Sequence, residues 1–557
     1  MSKVNNNIFQ TAQNTIDIQR STFKRPFQHK TSANLGEIIP FYLEEVLPGD
    51  TITLKTAKLI QTGTLIAPIM DNLYFDTYYF FCPSRILWDH FKQFMGENDT
   101  DAWTQSSQYT IPKTMINISK TQATAMKSGK CLFNYLTKAT PPTSIEDITG
   151  KVLNINELPL RAYYMICNEY FRNENTKAPT LFTKGDAQNT NISYFDSPYI
   201  ANKFKDYFTS ALPAPQKGPS VSLPLGSYAP IIGGNQMTPL NNPLKFKSSV
   251  TQAEGNEIQI AQGTTGNVTF KTTSLNDTAV TYTNLLADLK SATAATINSL
   301  RLAFQLQKMY ERDARGGTRF DEHIKATYGV NINSGVIDIP EYLFGDRMPI
   351  TIDKVIASTQ ANDTDGKLAQ SLGNKGGYSN SAKVDNGFTK SFVEPGYILG
   401  VGVLRQENTY SEAMQKLWFK SERIDFYEPV FANIGEQPIY LREAQLNTYL
   451  MEGFKSKTVF GYQEAWSEYR YSPSGTSGII NPNATGALSY WTLAETYTTP
   501  DDVLDSAFTD CDKSMLDRAL AASSQATGAQ YIADIYVDSK WTRCMPIASI
   551  PGLIDHH

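Results

Sequence analysis

Paired cysteines, plentiful histidine and long apolar runs are missing from this sequence. Its 557 residues hold five cysteines, Cys82, Cys131, Cys167, Cys511 and Cys544, an odd number with no two close together. Without a C-x-x-C pair neither a zinc site nor a redox motif is indicated, and a reducing compartment fits best. Histidine is as scarce: His29, His90, His323, His556 and His557. No HExxH or GxSxG occurs, and the terminal His556–His557 pair lacks the further ligands a metal needs. No run of 18 apolar residues exists, so no membrane-spanning helix is expected. The first ten residues, MSKVNNNIFQ, lack the apolar core of a signal peptide. Charged residues make up only 19% and the net charge is −5, which excludes a global basic field drawing the protein onto nucleic acid. The expectation is a protein with no catalytic residues, no cofactor and no metal.

What is there favours strands. Tyr and Phe number 30 and 28, and low charge with many aromatic and β-branched residues suits pleated sheets. The charge is uneven. Residues 1–35 carry Lys3, Arg20, Lys24, Arg25 and Lys30 against Asp17 alone. This basic arm is expected to be poorly ordered unless something docks it. Phe23 and Phe27 interleave with the cations, so Lys24, Arg25 and Lys30 are candidates for contact with phosphates and bases.

Along residues 38–56, Pro48-Gly49-Asp50 marks a turn, and Ile52 and Leu54 then alternate with polar residues as on a half-buried strand. LYFDTYYFFCP, residues 73–83, is so aromatic that both faces must be largely covered. In RILWDHFKQF, Leu87, Phe91 and Phe94 share a helical face, and Tyr163, Ile166, Cys167 and Tyr170 do so in a helix over 159–172. Residues 219–285 hold only six charges among 67 residues yet keep short alternations, Ile258/Ile260, Val268/Phe270 and Val280/Tyr282. A β-rich insertion projecting from the body is expected. Ile297, Leu300, Phe304 and Lys308 then mark one face of a helix that Gly316-Gly317 ends. A loop is expected over 360–387. In GYILGVGVLRQ, residues 396–406, Gly400 and Gly402 indicate close approach of another backbone.

The stretch YERDARGGTRF, residues 310–320, packs five charges around two glycines. A phosphate-binding loop would follow a strand and continue with Lys-Ser/Thr, and neither holds. The preferred reading is an ion-paired helix end and turn. Glu311 would meet Arg315 at i+4, and Asp313 would meet Arg312 or Arg319. Asp363-Thr364-Asp365-Gly366 lacks the rest of a calcium loop.

Seven segments, in order, match one family. They are RSTFKRPFQHKTSANLGEIIPFYLEEVLPGDT (20–51), MDNLYFDTYYFFCPSRILWDHFKQFMGE (70–97), DYFTSALPAPQKG (206–218), INSLRLAFQLQKMYERDARGGTRF (297–320), PEYLFG (340–345), FGYQEAWSEYRYSPS (460–474) and RCMPIASIPGLIDHH (543–557). The chain resembles the major capsid proteins of the microviruses, gokushovirus branch. The resemblance implies a mainly β fold: a viral eight-stranded antiparallel jelly roll with long loop insertions and a few short helices. It implies residues 1–35 as a basic arm facing the capsid interior and 36–557 as the capsid domain, with a variable surface insertion at about 219–285. It implies self-assembly in the host bacterial cytoplasm into a T=1 icosahedral shell around circular single-stranded DNA. Implied partners are identical copies, a small basic internal DNA-binding protein, scaffolding and pilot or minor capsid proteins, and a receptor on the host bacterium, which the insertion would contact. Glu311, Asp313, Arg315, Gly316, Gly317 and Arg319 then read as an architectural turn or a subunit contact. The competing readings are a monomeric β-rich carbohydrate-binding protein or adhesin, and a glycosidase needing two opposed carboxylates.

Overall fold

The structure, a computed structural model, describes residues 19–97, 109–221, 297–332, 338–356, 375–446, 458–497 and 504–548, with short stretches between 231 and 287, at 335, and between 358 and 373. It divides into two compact units, Met1–Pro215 with Gly316–His557, and Gln216–Arg315.

The larger unit is built on β1 (Ser21–Lys24), β2 (Phe27–Ala33), β3 (Ile39–Val46), β4 (Thr51–Thr62), β5 (Leu73–Pro83), β6 (Glu341–Pro349), β7 (Ser381–Val384), β8 (Phe388–Ser391), β9 (Gly396–Gln406) and β10 (Tyr531–Arg543). They form two antiparallel sheets. In the first, β1 and β2 lie end to end along β10, β10 pairs with β4, and β7 and β8 lie end to end along the far side of β4. The second runs β6–β5–β9–β3. Both interruptions in the first sheet have local causes. Pro26 has no N–H to give the ladder, while Arg25 N–H still reaches the Ser539 carbonyl at 2.8 Å. Between β7 and β8, the Asp385 carboxylate accepts the Thr56 N–H at 2.8 Å. Gly387 follows at φ +66°, where an added Cβ would run into the Leu54 carbonyl.

The segment expected to be an arm therefore behaves differently from Ser21 onward: it is edge strand, docked on β10 in register from Ser21↔Arg543 to Ala33↔Tyr531. The partner lies about as far away in sequence as the chain allows, so no local pattern announces the pairing. Residues 1–18 lie outside the described residues.

Between the sheets sits a core of Phe41, Ile52, Leu54, Phe75, Tyr79, Ile535, Val537 and Trp541. β5 is covered on both faces. Phe75, Tyr79 and Phe81 enter this core, and Phe80 and Cys82 enter a second one on the other side of the sheet. Gly400 and Gly402 on β9 make room for rings rather than for backbone. An added Cβ would lie 2.9 Å from Tyr42 and Tyr79 at the first, and 2.7 Å from the Phe75 ring at the second.

The second core is closed by helix α1 (Leu158–Ile166), continued by a wider turn over Cys167–Phe171. This helix is buried nearly all round, not along one stripe. Its Arg161 is fully buried, pairing with Glu157 at 3.3 Å and donating to the carbonyls of Leu87, Gly185 and Ala187. RILWDHFKQF is two short helices, Ser84–Leu87 and Phe91–Phe94, because Trp88 breaks to extended backbone and turns its ring inward. The loop expected over 360–387 carries the strand Lys375–Ser379, paired with Ile352–Ile356, and then β7. Gly377 lets that hairpin press against Leu65 and Ala67.

The smaller unit, wider than the 219–285 stretch its composition singles out, contains three nested antiparallel pairs: Ile231–Gly233 with Leu285–Ala287, Phe246–Ser248 with Val280–Tyr282, and Gln259–Gln262 with Val268–Lys271. The three pairs are nested in sequence, the outermost closing around the other two. Helix α2 (Ile297–Arg315) ends the unit. Its buried positions include Ala303 and Ala314, whereas Phe304 is exposed.

Candidate nucleic-acid and assembly surfaces

Strand alternation sends every second residue of the first sheet away from the core. On that outer face, register lines the side chains up across strands. One row is Thr22, Thr542, Thr51 and Ser391, with hydroxyl contacts of 3.0 Å between the first two and 2.8 Å between the last two. The next is Lys24, Lys540, Thr53 and Thr389. Farther along, Lys30 stands opposite Asp534, and Gln28 opposite the exposed Tyr536. Lys55 and Asp538 complete the charges borne by the strands, four lysines against two aspartates, and Arg20, just before β1, reaches the Thr51 hydroxyl at 3.5 Å. Lys24 and Lys540 are direct cross-strand neighbours, an arrangement that repels unless an anion lies across it.

Of the three arm cations singled out for nucleic-acid contact, the fold brings Lys24 and Lys30 to this face and not Arg25. Arg25 turns to the opposite side, pairing with Glu44 at 2.8 Å and lying over the Trp541 ring at 5.2 Å. Lys540, Lys55 and Tyr536 were not singled out from the sequence, although period-two alternation in YIADIYVDSKWTR carries the signal.

His29 lies on the inward side of β2, with its ring stacked on Phe27, over which the Lys138 ammonium also sits. Burial, then the Lys138 charge, lowers its pKa from the ordinary 6.5 to about 4. Between those values the unfolded chain binds more protons than the folded one, so stability must fall as the pH drops through that window. Replacing His29 by Gln should flatten the melting temperature against pH between about 6.5 and 4. A profile unchanged by the substitution would refute the assignment.

The ERDARGG turn separates into two roles. On α2, Glu311 accepts from Gln307 at 2.8 Å, and Arg312 meets Asp313 at 3.5 Å. Arg315 is the last residue of α2, Gly316 follows it, and Gly317 adopts φ +93°. Arg319 belongs to the larger unit and is a hub there. It pairs with Glu169 at 3.3 Å, Glu174 at 3.3 Å and Glu322 at 3.2 Å, and donates to the carbonyls of Asn168 and Arg172. These contacts fasten the start of helix α3 (Phe320–Tyr328) to the turn that follows α1.

A third surface was not foreseen. Residues 416–434 form three short 3-10 turns and expose Leu417, Trp418, Ile424, Phe426, Val430 and Ile434, with Trp418 68% and Val430 85% accessible. Six large apolar side chains exposed within nineteen residues of sequence make this segment a candidate interaction surface. Among the described residues, no cluster of three or more His, Cys, Asp or Glu side chains could hold a metal ion.

The sequence was compared with known proteins. Residues 11–553 match the family described as capsid protein (F protein). The capsid protein VP1 of Bdellovibrio phage phiMH2K is 34% identical over 547 aligned positions, covering 97% of this chain and 96% of the relative. The capsid protein VP1 of Chlamydia phage 1 is 32% identical over 601 positions, with 97% and 96% covered. That of Spiroplasma virus 4 is 32% identical over 554 positions, with 96% of each covered.

Proposed function

Because the chain belongs to the F-type capsid protein family of the microviruses, we propose that its copies close into a T=1 icosahedral shell around a circular single-stranded DNA genome. It is a major capsid protein, a structural component of the virion and not an enzyme, and its shell is homo-oligomeric. The observation that carries the reading is the match to capsid proteins along nearly the whole chain.

The strand order supports a jelly roll. With β1/β2 and β7/β8 each counted as one position, eight positions run first, eighth, third, sixth in one sheet and second, seventh, fourth, fifth in the other. That is the order of two interlocked Greek keys. The exposed apolar segment 416–434 supports contact between copies, since closure lets individually modest contacts act together. The nested strand pairs of the smaller unit, a compact unit of its own, support a surface protrusion that meets the host bacterium. Lys24 and Lys30, joined by Lys540, support a genome-facing wall. A chain of net charge −5 does not condense DNA by itself. A small basic internal protein therefore belongs to the particle, and scaffolding and pilot proteins to its assembly.

Electron microscopy of the purified protein with its viral partners should reveal uniform shells a few hundred ångströms across. Light scattering that finds only monomers under every assembly condition would overturn the reading. Replacing Lys24 and Lys30 by Gln should leave shells intact, weaken genome retention and make it less salt-dependent. Unchanged packaging would remove those lysines from the genome wall.

A further inference from the structure

The outer face of the first sheet is cationic at one end and carries an aromatic and aliphatic patch farther along. Register builds this patch across the strands. Past the Lys24–Lys540 row, Lys55 stands opposite Asp538, and the next row sets Gln28, Tyr536, Ala57 and Val384 side by side. Beyond it come Leu59 and Ile532. Tyr536 is 43% exposed, Val384 69% and Ile532 60%. Ala57 is too small to cover the Tyr536 ring, and Gln28 gives its amide to Asp534 at 2.9 Å. Tyr536 therefore offers an open ring on an aliphatic floor, four residues along β10 from Lys540. At the rise of an extended strand that is about 13 Å.

The charges on this face do not cancel. Asp534 faces Lys30 and Asp538 faces Lys55, so each carboxylate has a lysine directly across from it. Lys24 and Lys540 face one another, and the rest of their row is Thr53 and Thr389, joined hydroxyl to hydroxyl at 2.9 Å. The row of Thr22, Thr542, Thr51 and Ser391 beside it is all hydroxyl, with Arg20 reaching Thr51. Asp50 and Glu44, acids of the adjoining β3–β4 segment, are held by Arg543 and Arg25. Positive charge is thus in surplus at this end, where the hydroxyls are further donors suited to phosphate oxygens.

A single DNA strand has the same two-sided character: an anionic backbone and, unlike a duplex, base faces open to stacking. We propose that this face selects single-stranded over double-stranded DNA, the Lys24–Lys540 pair holding the phosphate backbone and Tyr536 stacking on an unpaired base. A duplex satisfies the lysines but keeps its bases stacked on one another, so the ring adds affinity for single strands alone. Stacking accepts any base, as contact with a whole genome requires. The inference rests on the reading of this face as the genome wall and adds to it the residue that sets strand preference.

The test is fluorescence anisotropy of the full-length protein with two labelled probes of equal length, an oligothymidylate and a DNA duplex. Tyr536→Ala should weaken oligothymidylate binding about tenfold and leave duplex binding unchanged. Tyr536→Phe should bind as the parent does, whereas Tyr536→Leu, apolar but not planar, should behave like Tyr536→Ala. Because Tyr536 is exposed, all three variants should melt at the parent's temperature. Lys24→Gln/Lys540→Gln should weaken both probes and lower both salt slopes by about 1.5. If the lysine variant weakens both probes but Tyr536→Ala weakens neither, or weakens both equally, the stacking residue is overturned and the genome wall stands. If the lysine variant changes neither probe, or the parent binds neither, the wall and the inference fall together. A Tyr536→Ala variant that binds both probes normally but blocks shell formation also overturns the proposal, since another copy then covers the ring.

Discussion

Replacing Arg319 by alanine should cost about 3–5 kcal/mol of stability, because it removes the cation from a partly buried group of three carboxylates. Glu174 is nearly inaccessible, and Glu169 and Glu322 are about one-third exposed. Burial pushes the Glu169 carboxyl up despite Arg319, so without that charge it would rise further. Burial would also raise Glu174, but its own backbone N–H and the Lys205 and Arg319 charges outweigh that and hold it below 4.5. A carboxyl held low in the folded state stabilises above its unfolded pKa and loses that contribution as the pH falls. The deficit of Arg319→Ala should therefore be largest near neutrality and shrink below about pH 4.5. Arg319→Lys should recover only part of it, since one ammonium cannot span three carboxylates and two carbonyls. Thermal melts of the unassembled protein across pH are the measurement. A melting temperature within about a degree of the parent at neutral pH would mean that the hub is solvated and contributes little.

The second large effect lies inside the sandwich. Lys58 points inward from β4 with a fully buried side chain, 2.7 Å from Asp346 and 2.8 Å from the Thr77 hydroxyl. Asp346 also holds Lys383 at 2.6 Å. Burial lowers the Lys58 pKa in spite of these partners. Burial pushes Asp346 up, but the hydrogen bonds from Lys383 and Lys58 prevail and keep its carboxyl low. Asp346→Ala should strand the Lys58 charge and cost about 3–5 kcal/mol, whereas Lys58→Met, which leaves Asp346 its other lysine, should cost far less. In the double variant most of the Asp346→Ala loss should return. Equal losses from the two single substitutions would refute the account. Because Asp346 titrates low, its contribution is present above pH 3.8 and disappears as the pH falls below that value.

Both predictions concern residues whose sequence neighbourhoods say little. Arg319 follows two glycines and reads as part of a helix-ending turn, and Lys58 reads as one polar residue on an alternating strand. Local chemistry was legible wherever it repeats along the chain. The two-sided burial of LYFDTYYFFCP, the Pro159 helix start, the paired alternations between 258 and 282 and the glycine stop after Arg315 all follow from periodicity and backbone preference. The seven quoted segments were enough to name the family, because their order and spacing along the chain are specific as a set. For the candidate sites, composition was legible and direction was not. It grouped Lys24, Arg25 and Lys30 as one basic cluster, whereas strand alternation along β10, in unbroken register across Pro26, sends Arg25 to the other side, where Glu44 meets it.

The sequence by itself determined that this chain is strand-rich, poor in catalytic and metal-binding residue types, and a relative of capsid subunits, since each of these follows from residue kind and short-range order. Tertiary structure alone decided which charges meet. The Arg319 hub gathers carboxylates from about 145 residues away, and Lys58 reaches a segment 288 residues on. Two-stranded pairing is set by register between distant strands, and no pattern within either strand encodes the partner it will find.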